Sequence, residues 1–551
     1  MGKVRFLAVW WVMLSIMAGC TGMTETRVDA FKPLITSETA AHEPAGEAPA
    51  TAKYLILFIA DGMSVENEIA GSRYLTGYDF GLVFHDDAKF PYRAFVSTWD
   101  ITTYNRYAYS RSKPAFNQRA YTPTVGYDPA LGGAKPFPLD STGMDSYFLT
   151  KQAYSTTSRT AVPATDSASA ATAMATGYKT ETGSISWLAG DPHAAGTRGS
   201  TGALRTVAER MRAEKGAAIG VVTTVSFAHA TPAAFVSHNK SRSNYYTGYK
   251  GYTGTGIADE IINTTKPEVV IGAGHPVFSN PTWDTTKGAI SKGLYTALKN
   301  SGEYVFVERQ AGVNGAKSLE AAAATAARQN KKLFGLFGGK ITRPDGAFYA
   351  TDLFEPPVCA NTPGNPSCSS GSNNENPLLK DLTTAAIKVL STNSKGFFLM
   401  VEQGDMDWSN HANDYKWMIG SAWDLNEAVK AAFDYVNRPG DEMDWTNTLL
   451  IVTADHGTGY VRVFDDVRKT GKGVLPVQQQ SGAAWRYPNG EVTYGTASHT
   501  NELVSLYAAG CGHHLFRQYE GAWYPGTLII DNTHIFHVMS QAAGLKLTGA
   551  P

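Results

Sequence analysis

Short apolar runs, each ending in a polar residue or glycine, recur along the chain: YLILFIADG (Tyr54 to Gly62), IGVVTT (Ile219 to Thr224), EVVIGAG (Glu268 to Gly274), LFGLFGG (Leu333 to Gly339), FFLMVEQGD (Phe397 to Asp405) and TLLIVTADHG (Thr448 to Gly457). Neighbouring side chains on a strand point to opposite faces, so a run without polar alternation predicts a strand buried on both sides. Helix-like stretches lie between them, at Gly202 to Glu214, Ser318 to Asn330, Leu378 to Leu390 and Ala422 to Val436. This alternation predicts an α/β fold: a large, mostly parallel sheet with helices on both faces, plus inserted loops. In such sheets ligands sit beyond the carboxyl ends of the strands. Here those ends carry Asp61, Glu402 and the pair Asp455-His456. Acids gathered on one edge repel one another, and bound cations are the obvious remedy.

Composition narrows the field. The 551 residues are 43% hydrophobic and 18% charged, with a formal net charge of -1. That suits a soluble globular protein with a large core and argues against a nucleic-acid binder, which needs a basic excess or stripe. The first residues form a targeting signal: Lys3 and Arg5 precede an apolar run from Phe6 to Met17 that is short for a membrane span. Met17-Ala18-Gly19-Cys20 resembles a bacterial lipobox. On that reading residues 1–19 are a lipoprotein-type signal peptide, Cys20 carries the lipid, and 20–52 is a flexible Thr/Ala/Glu/Pro-rich tether to a body at 53–551. An ordinary secretory signal is the alternative. Either way the chain is exported, to the periplasm or as a cell-envelope lipoprotein of a bacterium. Cys359 and Cys368 flank a Pro/Asn/Ser/Gly-rich loop and suit a local disulfide, and Cys511 reads as a buried free thiol.

Four segments could do chemistry. In EQGDMDWSNHAND, Asp407 and His411 stand four apart and share one face if Trp408 starts a helical turn, which is metal-ligand spacing, though a surface helix pair has it too. Asp455-His456 at a strand end and His499 in GTASHTNE extend the set, each also open to a structural hydrogen-bonding role. Asp, His and Glu in this number, without cysteine, suit borderline or hard divalent ions such as Zn²⁺ and Mg²⁺. In TDSASAATAMATGYKT an Ala-rich helix begins right after Asp166-Ser167. Ser167 at a helix N-terminus is placed to face an anion such as phosphate, or simply to cap the helix.

The chain resembles the alkaline phosphatase family through six separated segments in the family's order: IADGM, TDSASAATAMATGYKT, HATPAAFVSHNKSR, EQGDMDWSNH, TADHG and GTASHT. The resemblance implies hydrolysis of phosphate monoesters to alcohol and inorganic phosphate, through a covalent phosphoserine, at a site of two zinc ions and one magnesium. Asp407, His411 and His499 look like ligands of one zinc, and Asp61, Asp455 and His456 of the other. Asp61 would bridge to the third ion, held with Glu402 and Thr231. Ser167 would be the nucleophile, Arg242 the phosphate clamp, and Asp166 the acid that orients it. Two positions depart from the best-known bacterial pattern, His229 for an aspartate and Trp408 for a lysine. His229 is still counted beside the third ion, but Trp408 cannot supply a lysine's contact to phosphate. A long aromatic stretch at about 78–155 is a further departure, read as an inserted lid, a dimer-contact element or a satellite core.

A phosphodiesterase or sulfatase of the same superfamily is a rival reading. Sulfatases need a C/S-x-P-x-R context that Ser167-Ala168-Ser169-Ala170 lacks, and diesterases generally use threonine without a third metal site. A phosphomutase sits poorly with an export signal. A non-catalytic phosphate-binding lipoprotein should have lost a ligand or the nucleophile, and every position is filled. Small phosphomonoesters are the expected partners, with contact to membrane only through the lipid anchor and a homodimer as the family's frequent assembly. His238, His513, His514, His534 and His537 read as structural.

Overall fold

Seven consecutive apolar residues, Tyr54–Ala60, form strand β1 with every side chain buried. It lies inside a ten-stranded sheet. The computed structural model describes residues 51–102, 164–189, 202–275, 289–310, 312–338, 375–464, 479–481, 484–486, 490–522 and 526–546, all within the unit Pro44–Pro551. The other sheet strands are β2 (Tyr92–Ser97), β3 (Ala218–Ser226), β4 (Val269–Ala273), β5 (Tyr304–Glu308), β6 (Lys332–Leu336), β7 (Phe397–Gln403), β8 (Thr448–Thr453), Val504–Gly510 and Ile529–Asp531. Across the sheet they run Ile529–Asp531, β2, Val504–Gly510, β8, β1, β7, β3, β4, β6, β5. Only Val504–Gly510 runs against its neighbours, β2 and β8; every other pairing is parallel. Each of the six apolar runs supplies a sheet strand, so the α/β expectation holds.

Helix ends differ from the sequence pattern where a cap outweighs it. The helix expected over 202–214 spans Val207–Lys215. Thr206 Oγ1 accepts from Glu209 N, and Glu209 Oε2 accepts from Thr206 N, both at 3.2 Å. This reciprocal pair satisfies two otherwise orphaned donors and sets the start. The helix expected from Ala422 begins instead at Tyr415, where Asp414 accepts from Trp417 N at 3.1 Å. β2 and β5 escaped the pattern because they carry half-buried positions, and Ile529–Asp531 because it is only three residues long.

The stretch 78–155 begins as part of the sheet framework, since β2 lies within it; residues 103–155 lie outside the described residues, as do the signal and lipid-anchor segment, Cys20, Cys359 and Cys368. Cys511 is buried just after Val504–Gly510.

Candidate active site

The register of the sheet gathers the acids. Ile59 of β1 lies level with Glu402 on one side and Thr453 on the other, while Thr223 of β3 lies level with Glu402. The adjacent strands β8, β1 and β7 therefore end together, and Asp61, Glu402 and Asp455-His456 emerge on one edge. Gly62 turns the chain with φ at 74°. Its N–H donates to Asp455 Oδ1 at 3.0 Å, and its carbonyl accepts from Asn410 Nδ2 at 3.1 Å. A Cβ there would lie 2.7 Å from the Asp407 Cα, so only glycine lets the helix Asp405–His411 approach this closely.

That helix starts at Asp405, before the Trp408 start expected from sequence, and does put Asp407 and His411 on one face. His411 Nε2 is 3.3 Å from Asp407 Oδ2, and His499 Nε2 is 3.5 Å from Asp407 Oδ1. His499 arrives on the short strand His499–Thr500, paired with Gly457–Thr458. Each Nδ1 meets a backbone carbonyl: His411 at Ala497 O, 2.7 Å, and His499 at Thr165 O, 2.8 Å. A carbonyl only accepts, so both Nδ1 atoms carry protons and both Nε2 atoms point inward. Those two Nε2 atoms are 3.1 Å apart. Two ring nitrogens this close to each other and to Asp407 suit a shared cation, either a proton on His411 or a metal ion bound by both.

His456 is oriented the same way. Thr458 Oγ1 donates to Asp407 Oδ1 at 2.6 Å, leaving a lone pair to accept from His456 Nδ1 at 3.3 Å. The His456 Nε2 therefore faces Asp61 Oδ1 at 3.5 Å, Asp455 Oδ2 at 3.3 Å and the Ser167 Oγ at 3.2 Å. Ser167 Oγ also lies 3.3 and 3.4 Å from the two Asp61 oxygens.

Ser167 opens the helix Ser167–Thr176, which is buried throughout, capped by Asp166 and ended by Gly177 at φ 77°. Small alanine side chains let this helix sink between its neighbours. Asp166 accepts on Oδ1 from Ser169 N at 3.1 Å and Gly183 N at 3.0 Å, and on Oδ2 from Arg242 Nη1 at 2.8 Å. Arg242 Nη2 donates to His229 Nε2 at 3.1 Å. The His229 ring stands edge-on to Trp408, 5.9 Å between centroids.

Burial and mutual repulsion set the electrostatics of these acids. Burial, then the carboxylates of Asp455, Asp407 and Glu402, raise the pKa of Asp61. Glu402 is pushed up to about 8, by burial above all, although the Thr223 hydroxyl donates to it. Asp455 rises to about 7, by burial first, with Asp407 adding to the rise. Burial works to lower the His411 pKa, but Asp407 holds it up at about 9. His229 is depressed to about 3 by burial and the Arg242 charge, so it is neutral when it accepts from the guanidinium. For Asp166, burial works upward, yet Arg242 and the two backbone donors bring the carboxyl down to about 2.

Among the described residues, three groups bring possible ligand atoms within 4.8 Å of one another: Asp407, His411 and His499; Asp61, Asp407 and His456; and Asp61, His229 and Glu402. The sequence-based grouping differs in detail, for Asp407 also joins the middle set while Asp455 stands at its rim. Thr231 Oγ1, Glu402 Oε1 and Asp455 Oδ2 are buried without a hydrogen-bond partner. Buried oxygens of this kind fit divalent cations, whose oxygen and imidazole ligands need no other donor. Sequence reasoning missed Thr458, Thr223 and Gly62. A Thr two residues beyond Asp-His carries no periodic signal, and the Thr458 hydroxyl matters only because the fold returns Asp407 to it. His238 and His534, read from the sequence as structural, are hydrogen-bonded within the fold: His238 to Glu260 at 2.8 Å, and His534 Nδ1 accepts from Asp531 N at 3.0 Å.

Residues 132–484 match the profile of the alkaline phosphatase family. The alkaline phosphatase of Escherichia coli strain K12 is 32% identical over 73% of this chain and 80% of its own length. The streptomycin-6-phosphate phosphatase of Streptomyces griseus is 28% identical over 69% and 79%. Among solved structures, alkaline phosphatase from Thermus thermophilus superposes with a TM-score of 0.54 at 20% identity, covering 91% of this chain and 94% of that one. The cold-active enzyme from Shewanella sp. gives 0.52 at 20% identity, covering 89% and 99%.

Proposed function

The chain belongs to the alkaline phosphatase family and is a phosphatase, and from that premise we propose that it hydrolyses phosphate monoesters through a phosphorylated Ser167. The observation that carries this reading is the placement of Ser167 Oγ, 3.2 Å from His456 Nε2 and 3.3 Å from Asp61, beside the Asp166–Arg242 pair.

Asp407, His411 and His499 would hold one zinc; Asp61, Asp455 and His456, with Asp407 nearby, a second; and Asp61, Glu402 and Thr231, with His229 adjacent, a magnesium. When bound, such ions lower the pKa of a coordinated hydroxyl or water and neutralise charge on the departing oxygen. The protein's own groups do the rest. Arg242 offers a planar, permanently charged fork to two non-bridging phosphoryl oxygens. Asp166 keeps that fork aligned and stays ionised, with its carboxyl near 2. Ser167 Oγ attacks phosphorus in line as the bond to the alcohol oxygen breaks. Water then attacks the phosphoserine from the vacated side, breaking the Oγ–P bond and returning the hydroxyl. Because Arg242 reads only the phosphoryl group, the substrate range is broad among small monoesters, a class to which the name of the Streptomyces griseus relative also points. We place the enzyme outside the cytoplasm, tethered through Cys20, on the strength of residues 1–20; mass spectrometry of the mature N-terminus tests this.

The test of the chemistry compares p-nitrophenyl phosphate, bis-p-nitrophenyl phosphate and p-nitrophenyl sulfate, with wild type and Ser167→Ala, after chelation and after adding back zinc and magnesium. Monoester turnover should need both metals and fall by roughly a thousandfold or more in Ser167→Ala. A preferred diester or sulfate, or an active serine variant, would remove the assignment.

A further inference from the structure

Behind the Asp166–Arg242 pair lies a second carboxylate that the proposed mechanism does not use. Asp100, 1% exposed, follows β2. Its Oδ2 is 2.9 Å from Ser169 Oγ and accepts from Thr182 Oγ1 at 2.8 Å. Ser169, also 1% exposed, sits one turn into the nucleophile helix, with its Oγ 2.8 Å from Asp166 Oδ1 and 3.1 Å from the Asp166 carbonyl. Thr165 Oγ1 stands 3.0 Å from the same hydroxyl. A serine hydroxyl has one proton to give, and here two acids reach for it.

The direction of that proton has consequences at the phosphate clamp. Given to Asp166, it adds a third donor to Oδ1, beside Ser169 N and Gly183 N. Three donors on one oxygen fix the carboxylate plane and leave Oδ2 aimed at Arg242 Nη1, 2.8 Å away. Given to Asp100, it leaves the Ser169 lone pairs facing the Asp166 carboxylate and loosens the plane. Arg242 meets Asp166 through one nitrogen, its Nη1, so a rotation of the carboxylate carries straight to the guanidinium.

We propose that Ser169 is a positioning residue that holds Asp166 against Arg242, and that Asp100 sets the strength of this hold by competing for the single Ser169 proton. The inference rests on the reading of Arg242 as the phosphate clamp. It assigns a role to two buried residues outside the metal cluster.

The experiment measures KM and kcat for p-nitrophenyl phosphate, and competitive inhibition by inorganic phosphate, in the metal-loaded enzyme. Ser169→Ala keeps the backbone N–H but removes the proton, so KM and the phosphate inhibition constant should rise together, about five- to tenfold, with kcat falling less than twofold. Ser169→Thr should restore both. Asp100→Asn replaces a carboxylate with a weaker competitor, so phosphate should bind about two- to threefold more tightly. In an Arg242→Ala background neither substitution should move the phosphate constant by more than about twofold, because the route through the arginine is gone. Phosphate constants unchanged by Ser169→Ala and Asp100→Asn, or effects that simply add to those of Arg242→Ala, overturn the inference while the clamp stands. If Arg242→Ala itself leaves phosphate binding intact, it is the clamp reading that fails. Should Ser169→Ala not fold, the Asp100→Asn pair of measurements decides alone.

Discussion

At the scale of single residues, the site is set by which atom of each side chain is committed to the protein. His411, His499 and His456 all spend Nδ1 on a carbonyl or hydroxyl, which leaves Nε2 for the interior. Thr458 is the most economical part of this arrangement, since one hydroxyl both donates to Asp407 and accepts from His456. Outer partners of metal ligands typically hold about 10- to 100-fold of affinity. Thr458→Val keeps the shape and removes both bonds. We expect zinc affinity to drop by about that factor, read by competition with a chromophoric chelator; an unchanged affinity would show that Asp407 and His456 are oriented by other means. Candidate ligands were legible in the sequence because Asp and His stood at strand ends and four apart on a helix. Thr458 was not, because its partners are remote in sequence or unmarked by any spacing.

At the scale of elements, the loop that delivers Arg242 is pinned by a buried ion triad. His238 follows the helix Ala230–Val236. Its Nδ1 donates to Glu260 Oε1 at 2.8 Å, while Nε2 lies 2.9 Å from the Leu204 carbonyl and 3.3 Å from Glu209 Oε2. Both ring nitrogens face only acceptors, so the imidazolium is the form that fits. Burial works against the charge, but the two glutamates carry its pKa up to about 10. An unfolded histidine titrates near 6.5. The raised value therefore contributes stability that is fully present below about 6.5 and lost as pH rises through about 10. In urea unfolding followed from neutral pH to about 10, wild type should lose stability more steeply than His238→Gln, which carries no titrating charge there. Parallel pH profiles for the two proteins would refute the assignment. The caps at Thr206 and Asp414 make a related point: helix starts followed side-chain acceptors more closely than the apolar period did.

For the whole molecule, the sheet concentrates negative charge at one edge, and the cost of that concentration links metal content to stability. Cations that bind the folded site but not the unfolded chain stabilise by mass action. Chelation should therefore lower Tm by several degrees, and zinc with magnesium should restore both Tm and monoester turnover. A Tm indifferent to chelation would mean that the carboxylates are accommodated by protons alone.

The sequence by itself determined six of the ten sheet strands, because a strand buried on both faces needs an unbroken apolar run, and such runs were visible at β1, β3, β4, β6, β7 and β8. It also determined the donor set, because Asp, His and Ser declare their chemistry by type and the six segments by their order. Tertiary structure decided the rest. Strand order brought Asp61 to one edge beside Glu402 and Asp455, which lie hundreds of residues further along the chain. The placement of Ser169 between Asp166 and Asp100, and of Thr458 between Asp407 and His456, arose the same way. Hydrogen bonds act over about 3 Å in space, whereas periodicity reports only neighbours along a strand or helix, so contacts between distant segments are written in the fold alone.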